Sequence, residues 1–158
     1  MSKKNIFQRY NRTFWTANSM ELFERWAWYG MFMLLALYLT GSRDEGAMGF
    51  TQIQKGHMMG PVVALLYLMP IITGAIADRY GYKKVLIASY AIMASGYVML
   101  AYIQSYTLFY MAFVWLAVGA ALFKPIITAT VAKTTNSKTS SVGFGIFYMM
   151  VNLGAFIG

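Results

Sequence analysis

Five long apolar stretches, separated by short polar segments, make up most of the chain. Cut at their polar borders, these stretches predict helices over residues 14–40, 57–77, 85–103, 108–132 and 142–158. A helix needs about 20 residues to cross the hydrocarbon core of a bilayer, and the second, third and fourth stretches have about that length. The pattern therefore predicts an all-α, polytopic transmembrane bundle at residues 14–158, with a polar lead at residues 1–13.

The first stretch reaches spanning length only if it includes Glu21, Glu24 and Arg25, in the segment E-L-F-E-R-W-A-W-Y-G. An ionisable residue at the centre of a membrane helix costs about 2.5–3.5 kcal/mol on insertion scales. Such residues usually face a polar cavity on the path of an ion or a substrate. We therefore take these three residues as the leading candidates for a functional site.

Helical geometry places the charges of the first helix in one sector. Successive residues advance by about 100°, so that Glu24 lies at about 300° and Arg25 at about 40° when Glu21 is at zero. Tyr29 follows at about 80°. Glu21 and Arg25 are four residues apart and can also pair within the helix. The alternative interpretation is an ion pair that only neutralises itself at the membrane interface.

A second cation lies inside the fourth stretch, where Lys124 is distant from any predicted loop. Measured from the helix midpoints at 1.5 Å per residue, Arg25 lies about 3 Å and Lys124 about 7 Å to the same side of the membrane centre. Lys124 and Glu24 can therefore pair if the first and fourth helices face a common cavity. A carboxylate that exchanges between a cation and a proton is a physical basis for proton coupling. The alternative is a lysine that snorkels to the interface.

The basic residues are distributed unevenly between the loops. The chain has 13 Lys and Arg against five Asp and Glu, a formal net charge of +8. Loops on the cytoplasmic side of membrane proteins carry an excess of Lys and Arg, so the distribution places the N-terminus in the cytoplasm and explains the charge without nucleic acid. Nine of the 13 precede the first helix or lie in the loops on the same side: Lys3, Lys4, Arg9, Arg12, Arg79, Lys83, Lys84, Lys133 and Lys138.

Other chemistry is limited by composition. The chain has no cysteine, which excludes disulfides and thiolate–metal sites. Its single histidine, His57, has no partner at metal-ligand spacing and is expected in a loop or at a helix end. The N-terminus lacks a short apolar stretch with a cleavage site, so we expect no cleavable signal. We predict a transporter rather than an enzyme, with neither a metal nor an organic cofactor.

Three further polar features are two residues within apolar stretches and one short loop. Tyr67 and Asn152 lie at the middle of the second and fifth helices. Tyr67 can simply pack its ring, whereas a buried asparagine usually bridges to another helix. Residues 78–84 are predicted to form a tight loop; its lysines follow from topology, but Asp78 does not.

Four motifs in this order resemble one family of transporters. G-A-I-A-D-R-Y-G-Y-K-K, at residues 74–84, resembles the loop motif between helices 2 and 3 of the major facilitator superfamily. E-L-F-E-R-W-A-W-Y-G resembles the E-x-x-E-R-F-x-Y-Y-G motif of the proton-dependent oligopeptide transporters (the POT/PTR family). F-K-P and F-Y-M-M-V-N-L-G resemble that family's Lys-Pro site in helix 4 and its F-Y-x-x-I-N-x-G signature in helix 5. The resemblance covers about residues 21–158.

The resemblance implies a role for each matching residue. Glu24 and Arg25, with Glu21 beside them, would take part in proton coupling. Lys124 would pair with Glu24 and with the peptide carboxylate. Asp78 and Arg79 would belong to a gating motif that latches the two halves of the transporter. The implied substrate-binding residues are Arg25, Tyr29, Tyr67, Lys124 and Asn152.

We therefore expect the N-terminal part of a proton-coupled symporter of di- and tripeptides, in an inner or plasma membrane, that works by alternating access with protons as the coupling ion. Its partners would be short peptides or related small carboxylates, the lipid bilayer and a C-terminal half. Trp28 replaces a tyrosine of the helix 1 motif and Ile126 an asparagine after Lys-Pro, so a carrier of another small carboxylate or amino acid is an alternative. A third hypothesis is a non-transporting, truncated membrane fragment, since the fifth helix stops near the required length without a closing loop.

Overall fold

The structure, a computed structural model, describes residues 9–158. One turn of 3₁₀ helix, Arg43–Glu45, separates the first two long helices. Within the described residues no strand occurs, and the predicted all-α fold is confirmed. The five long helices are α1 (Arg12–Thr40), α2 (Gln52–Tyr80), α3 (Tyr82–Tyr102), α4 (Tyr106–Lys133) and α5 (Ser140–Ile157).

Helices α2 to α5 are long and apolar enough to cross a membrane. Helix α1 is not among them because its charged residues lower its hydropathy. Its 29 residues nevertheless extend over about 43 Å at 1.5 Å each, more than the hydrocarbon thickness of about 30 Å. Length therefore permits α1 to span the membrane with its charges inside.

Helix α2 begins at Gln52 rather than at the predicted residue 57, because Thr51 caps it. The Gln54 backbone N–H donates to Thr51 Oγ1 at 3.1 Å, and the Thr51 N–H donates to Gln54 Oε1 at 2.9 Å. This reciprocal capping box satisfies two backbone groups at the start of the helix. His57, expected in a loop or at a helix end, therefore lies within α2, where it is exposed.

The connection between α2 and α3 is also shorter than predicted. A loop over residues 78–84 was expected, but α2 continues to Tyr80 and α3 starts at Tyr82, which leaves Gly81 alone between them. Gly81 has a φ of +89°, a conformation that glycine adopts readily because it has no Cβ and that other residues rarely adopt. The charges that indicated a loop lie instead on exposed helix ends.

The chain divides into two compact units, Met1–Leu34 with Ile127–Gly158, and Leu35–Ile126. In the second unit, α2, α3 and α4 share a core formed by Ala77, Val85 and Ile126. Gly96 brings α3 close to α4, because a Cβ there would lie 2.9 Å from the Cβ of Leu116. Small residues let membrane helices approach closely in this way.

In the first unit, the chain before α1 contacts the start of α5. The predicted lead at residues 1–13 lies partly outside the described residues, but Tyr10 is buried and stacks on Phe14 with 4.1 Å between ring centroids. The Tyr10 hydroxyl also donates to the carbonyl of Thr139 at 3.0 Å. Tyr10, near the end of the lead, is therefore packed against α1 and the start of α5.

The segment that follows α1 folds back onto the end of that helix. The backbone N–H groups of Met48 and Phe50 donate to the carbonyls of Tyr38 and Leu39 at 2.9 and 2.8 Å. The last carbonyls of an α-helix have no partner within the helix. Here, N–H groups of the connecting segment are the hydrogen-bond partners of two of these carbonyls.

Candidate functional site

Two carboxylates and a guanidinium form a buried cluster on α1. Glu21, Glu24 and Arg25 are 3 %, 5 % and 6 % exposed. Arg25 donates from Nε to Glu24 Oε2 at 2.5 Å and from Nη2 to Glu24 Oε1 at 2.7 Å. Such two-pronged, charge-assisted pairs are among the stronger hydrogen-bonded interactions in proteins. Because the three side chains carry a formal charge of −1 when ionised, the cluster can accept a proton or a cation.

The predicted contact between Glu21 and Arg25 is present, with 3.7 Å between Glu21 Oε1 and Arg25 Nε. The closer contact with Glu24 was not predicted, because adjacent helix positions point about 100° apart. The Arg25 guanidinium also lies 5.8 Å from the ring centroid of Tyr29, within the range of a cation–π contact. Arg25 is thus held by both carboxylates and by an aromatic ring.

Helix α5 contacts α1 at the level of this cluster through Gly154. A Cβ at residue 154 would lie 2.5 Å from the carbonyl oxygen of Leu22 and 2.8 Å from the Cβ of Arg25. Only a glycine permits this approach of the two backbones. Sequence reasoning gave Gly154 no role, although it is the glycine of the motif that contains Asn152. Asn152 itself is exposed on α5.

In the second unit, α2 and α4 bring two of the predicted site residues together. Lys124 is half-buried, and its Nζ lies 5.7 Å from the ring centroid of Tyr67. Tyr67 is 74 % exposed, so its side chain on α2 remains accessible beside Lys124 of α4. Glu24 and Lys124 belong to different units, and their pairing stays a prediction.

Asp78 and Arg79 lie in the last turn of α2, beside the Gly81 connection. The Tyr82 hydroxyl donates to Asp78 Oδ1 at 3.0 Å, which joins the end of α2 to the start of α3. The Arg79 guanidinium lies 5.6 Å from the ring centroid of Tyr80. Both charged side chains are exposed at this end of α2.

Three buried polar residues were missed by sequence reasoning. Asn18 is 1 % exposed and donates from Nδ2 to the carbonyl of Phe14 at 2.8 Å. Its position three residues before Glu21 on the same helix was the available signal. Thr73 and Ser89, both fully buried, donate to carbonyls of α4. A hydroxyl in an apolar helix does not indicate its partner, so these contacts had no signal in the sequence.

The predicted site residues do not line the cavity found next to the segment after α1. That cavity, of about 200 Å³, is lined by Tyr38, Arg43, Gly46, Ala47, Met48 and Gln104. Among residues 9–158, no three His, Cys, Asp or Glu side chains are arranged to hold a metal ion. The functional candidates are therefore the α1 cluster and the pair formed by Lys124 and Tyr67.

Comparison with known protein families shows to which superfamily the chain belongs. The sequence model of the Major Facilitator Superfamily matches residues 16–158, which is nearly the whole chain. The chain belongs to the major facilitator superfamily. The matched range includes the α1 cluster, Lys124, Asp78 and Arg79.

Individual relatives refine the position within the superfamily. The chain is 33 % identical over 140 residues to "Uncharacterized transporter YclF" of Bacillus subtilis, 29 % over 143 residues to "Peptide transporter YePEPT" of Yersinia enterocolitica and 30 % over 149 residues to "Dipeptide and tripeptide permease A" of Edwardsiella piscicida. These matches cover 87 %, 87 % and 92 % of the chain. The predicted relationship to the oligopeptide transporters is confirmed by these names. The chain spans only 28–29 % of these relatives' length.

Proposed function

We propose that this chain is the N-terminal part of a proton-coupled symporter that carries di- and tripeptides across a membrane by alternating access. The observation that carries the proposal is the buried cluster of Glu21, Glu24 and Arg25 in a long helix of a major facilitator protein. Buried charges in transporter helices mark substrate and proton paths. Relatives named as peptide transporters support peptides as the cargo.

The charges of the cluster suggest how a proton and a substrate are linked. When Glu24 is ionised, it holds Arg25 in the two-pronged pair. When Glu24 is protonated, it loses most of its attraction for the guanidinium, and Arg25 becomes available to a substrate carboxylate. Proton uptake by Glu24 and carboxylate binding by Arg25 would then favour each other, which is the requirement for symport.

Lys124 is assigned the role of relaying this change. It is the second cation of the proposed site, and as the partner of Glu24 or of the substrate carboxylate it would exchange between the two. The exposed hydroxyl of Tyr67 beside it, together with Tyr29 and Asn152, would contact the peptide. Asp78 and Arg79, at an accessible helix end, would serve as the latch between the halves.

The remaining parts of the proposal concern the surroundings of the chain. The loop distribution of Lys and Arg supports a cytoplasmic N-terminus in an inner or plasma membrane. The exposed apolar side chains of α2 and α5, such as Ile71 and Phe156, support contact with lipid. A C-terminal half would complete the substrate site around the midplane.

The test is uptake of dialanine by proteoliposomes that contain the full-length protein with this chain, driven by an inward proton gradient. The proposal expects accumulation by the wild type and its loss in Glu24→Gln, which keeps the shape of the side chain and removes its charge. Glu45→Gln, at an exposed position outside the long helices, is the matched control. A folded wild type that accumulates no dialanine contradicts peptide symport, and competition by amino acids or nitrate then tests other small anions.

A further inference from the structure

The backbone hydrogen bonding of α4 is interrupted next to Lys124, because Pro125 directly follows this lysine within the helix. Proline has no N–H, so the carbonyl four residues earlier loses its helical partner. That carbonyl belongs to Ala121, which is fully buried. An unpaired backbone carbonyl in an apolar surrounding is costly, and some other donor has to satisfy it.

Thr73 of α2 supplies that donor. Its Oγ1 lies 2.7 Å from the carbonyl oxygen of Ala121, and the residue is fully buried. Threonines inside helices usually donate to a carbonyl of their own helix. Thr16 and Thr40 follow that pattern and donate to the carbonyl four residues before them. Thr73 instead donates to another helix, at the one carbonyl that Pro125 leaves open.

Ser89 provides an internal comparison. Its Oγ donates to the carbonyl of Gly119 on α4 at 2.8 Å and is equally buried. The residue four positions after Gly119 is Phe123, which has an N–H and can complete the normal helical bond. The Ser89 bond is therefore an addition to an intact turn, whereas the Thr73 bond replaces a missing one.

The same stretch of α2 contacts α4 at two further points. A Cβ at Gly74 would lie 3.8 Å from the Cβ of Pro125, so the residue after Thr73 passes directly beside the proline ring. Six residues before Thr73, the ring of Tyr67 lies 5.7 Å from Lys124 Nζ. Helix α2 thus contacts both the interrupted turn that carries Lys124 and the end of its side chain.

We propose that Thr73 is a positioning residue for Lys124, because its hydroxyl replaces the N–H that Pro125 lacks and thereby fixes the turn from which the lysine extends over Tyr67. The inference rests on the proposed function only for its consequence in transport. The bond itself connects the two helices independently of the cargo. Without the Thr73 hydroxyl, the α4 turn at Pro125 is no longer fixed, and Lys124 can move away from the Tyr67 ring.

The first test measures the exposure of Lys124 without any transport. The full-length protein in detergent is treated with an amine-reactive label, and mass spectrometry compares the labelling rate of Lys124 with those of Lys83 and Lys84, two exposed lysines. Thr73→Val keeps the shape and removes the donor, and it is expected to raise the Lys124 rate several-fold. Thr73→Ser, which keeps the hydroxyl, should stay near the wild type, as should Ser89→Ala.

A double variant makes the test specific to the missing N–H. Pro125→Ala restores the backbone donor to the Ala121 carbonyl, so adding Thr73→Val in that background should change the Lys124 rate by less than twofold. A Thr73→Val effect of equal size in both backgrounds would overturn the proposal, as would an unchanged rate in the single variant. If Thr73→Val does not fold, folding restored by Pro125→Ala supports the proposal, and failure of both variants contradicts it.

The transport readout separates this proposal from the proposed function. Thr73→Val should lower proton-driven dialanine accumulation about tenfold and leave exchange of dialanine across the membrane, without a proton gradient, within twofold of the wild type. Equal loss of both activities indicates a merely structural role and contradicts positioning. If the wild type folds, is labelled as expected and transports no peptide, peptide symport is contradicted. The positioning of Lys124 by the Thr73–Ala121 hydrogen bond is still supported in that case.

Discussion

Arg25 forms its closest ion pair with Glu24, the residue directly before it in the chain, and reaches Glu21 one turn away only at 3.7 Å. Neighbouring positions on a helix point about 100° apart, so this geometry requires both side chains to turn toward each other. Of the two carboxylates, Glu24 therefore makes the closer contact with Arg25. We therefore expect the two glutamates to have unequal roles, which mutation can separate.

We expect Glu24→Gln to lower proton-driven dialanine uptake at least tenfold more than Glu21→Gln, because the pair that Glu24 forms with Arg25 is two-pronged and charge-assisted, whereas Glu21 lies 3.7 Å from Arg25. Uptake rates in proteoliposomes at equal protein content measure the difference. Glu45→Gln, at an exposed position, should leave the rate unchanged. Equal losses in the two glutamate variants would refute the unequal roles.

Lys124→Ala should abolish proton-driven accumulation, because the proposed relay between Glu24 and the substrate loses its cation. Lys138→Ala, which removes an exposed lysine, is the control and should behave as the wild type. Retained concentrative uptake in Lys124→Ala would rule out the coupling role. The measurement is the ratio of internal to external dialanine at steady state.

The ring beside Lys124 gives a milder prediction. Tyr67→Phe keeps a cation–π surface and Tyr67→Leu removes it, at about 0.5–1 kcal/mol for an exposed site. The Leu variant should therefore have a KM for dialanine about two- to fivefold above that of the Phe variant. Indistinguishable KM values would show that the ring does not hold the lysine during binding.

Gly154→Ala should destabilise the protein by about 1–3 kcal/mol, because the new Cβ would overlap the Leu22 carbonyl and force α5 away from α1. Gly145→Ala on the same helix is the matched control, since a Cβ there meets no atom within 4 Å. Thermal unfolding in detergent, followed by tryptophan fluorescence, compares the two. A Gly154→Ala midpoint equal to that of Gly145→Ala would contradict the close approach.

The number, order and type of the long helices could be predicted from the sequence because apolar periodicity and length are local properties. The boundaries of α2 were harder to predict from the sequence. Its first residues, Gln52 to Gly56, are mostly polar and suggested a loop, although the Thr51–Gln54 capping signature was present. At the other end, Asp78 and Arg79 suggested a loop because charge alone does not distinguish one from an exposed helix end.

The candidate site was predictable only where a single residue is costly in its surroundings. Glu24, Arg25 and Lys124 are charges in apolar stretches, and they stand out without any knowledge of their contacts. Thr73 and Gly154 act through a carbonyl on another helix. Which carbonyl that is depends on how the helices pack, and no local pattern contains it.

Helix α1 is closed at its far end by residues of its own chain, through the bonds from Met48 and Phe50 to the carbonyls of Tyr38 and Leu39. Water or lipid headgroups are therefore not needed as hydrogen-bond donors to those carbonyls. A change in the tilt or depth of α1 in the bilayer would leave these bonds intact. The last residues of α1 and residues 41–50 can then move as one piece, with no backbone hydrogen bond lost at that end of the helix.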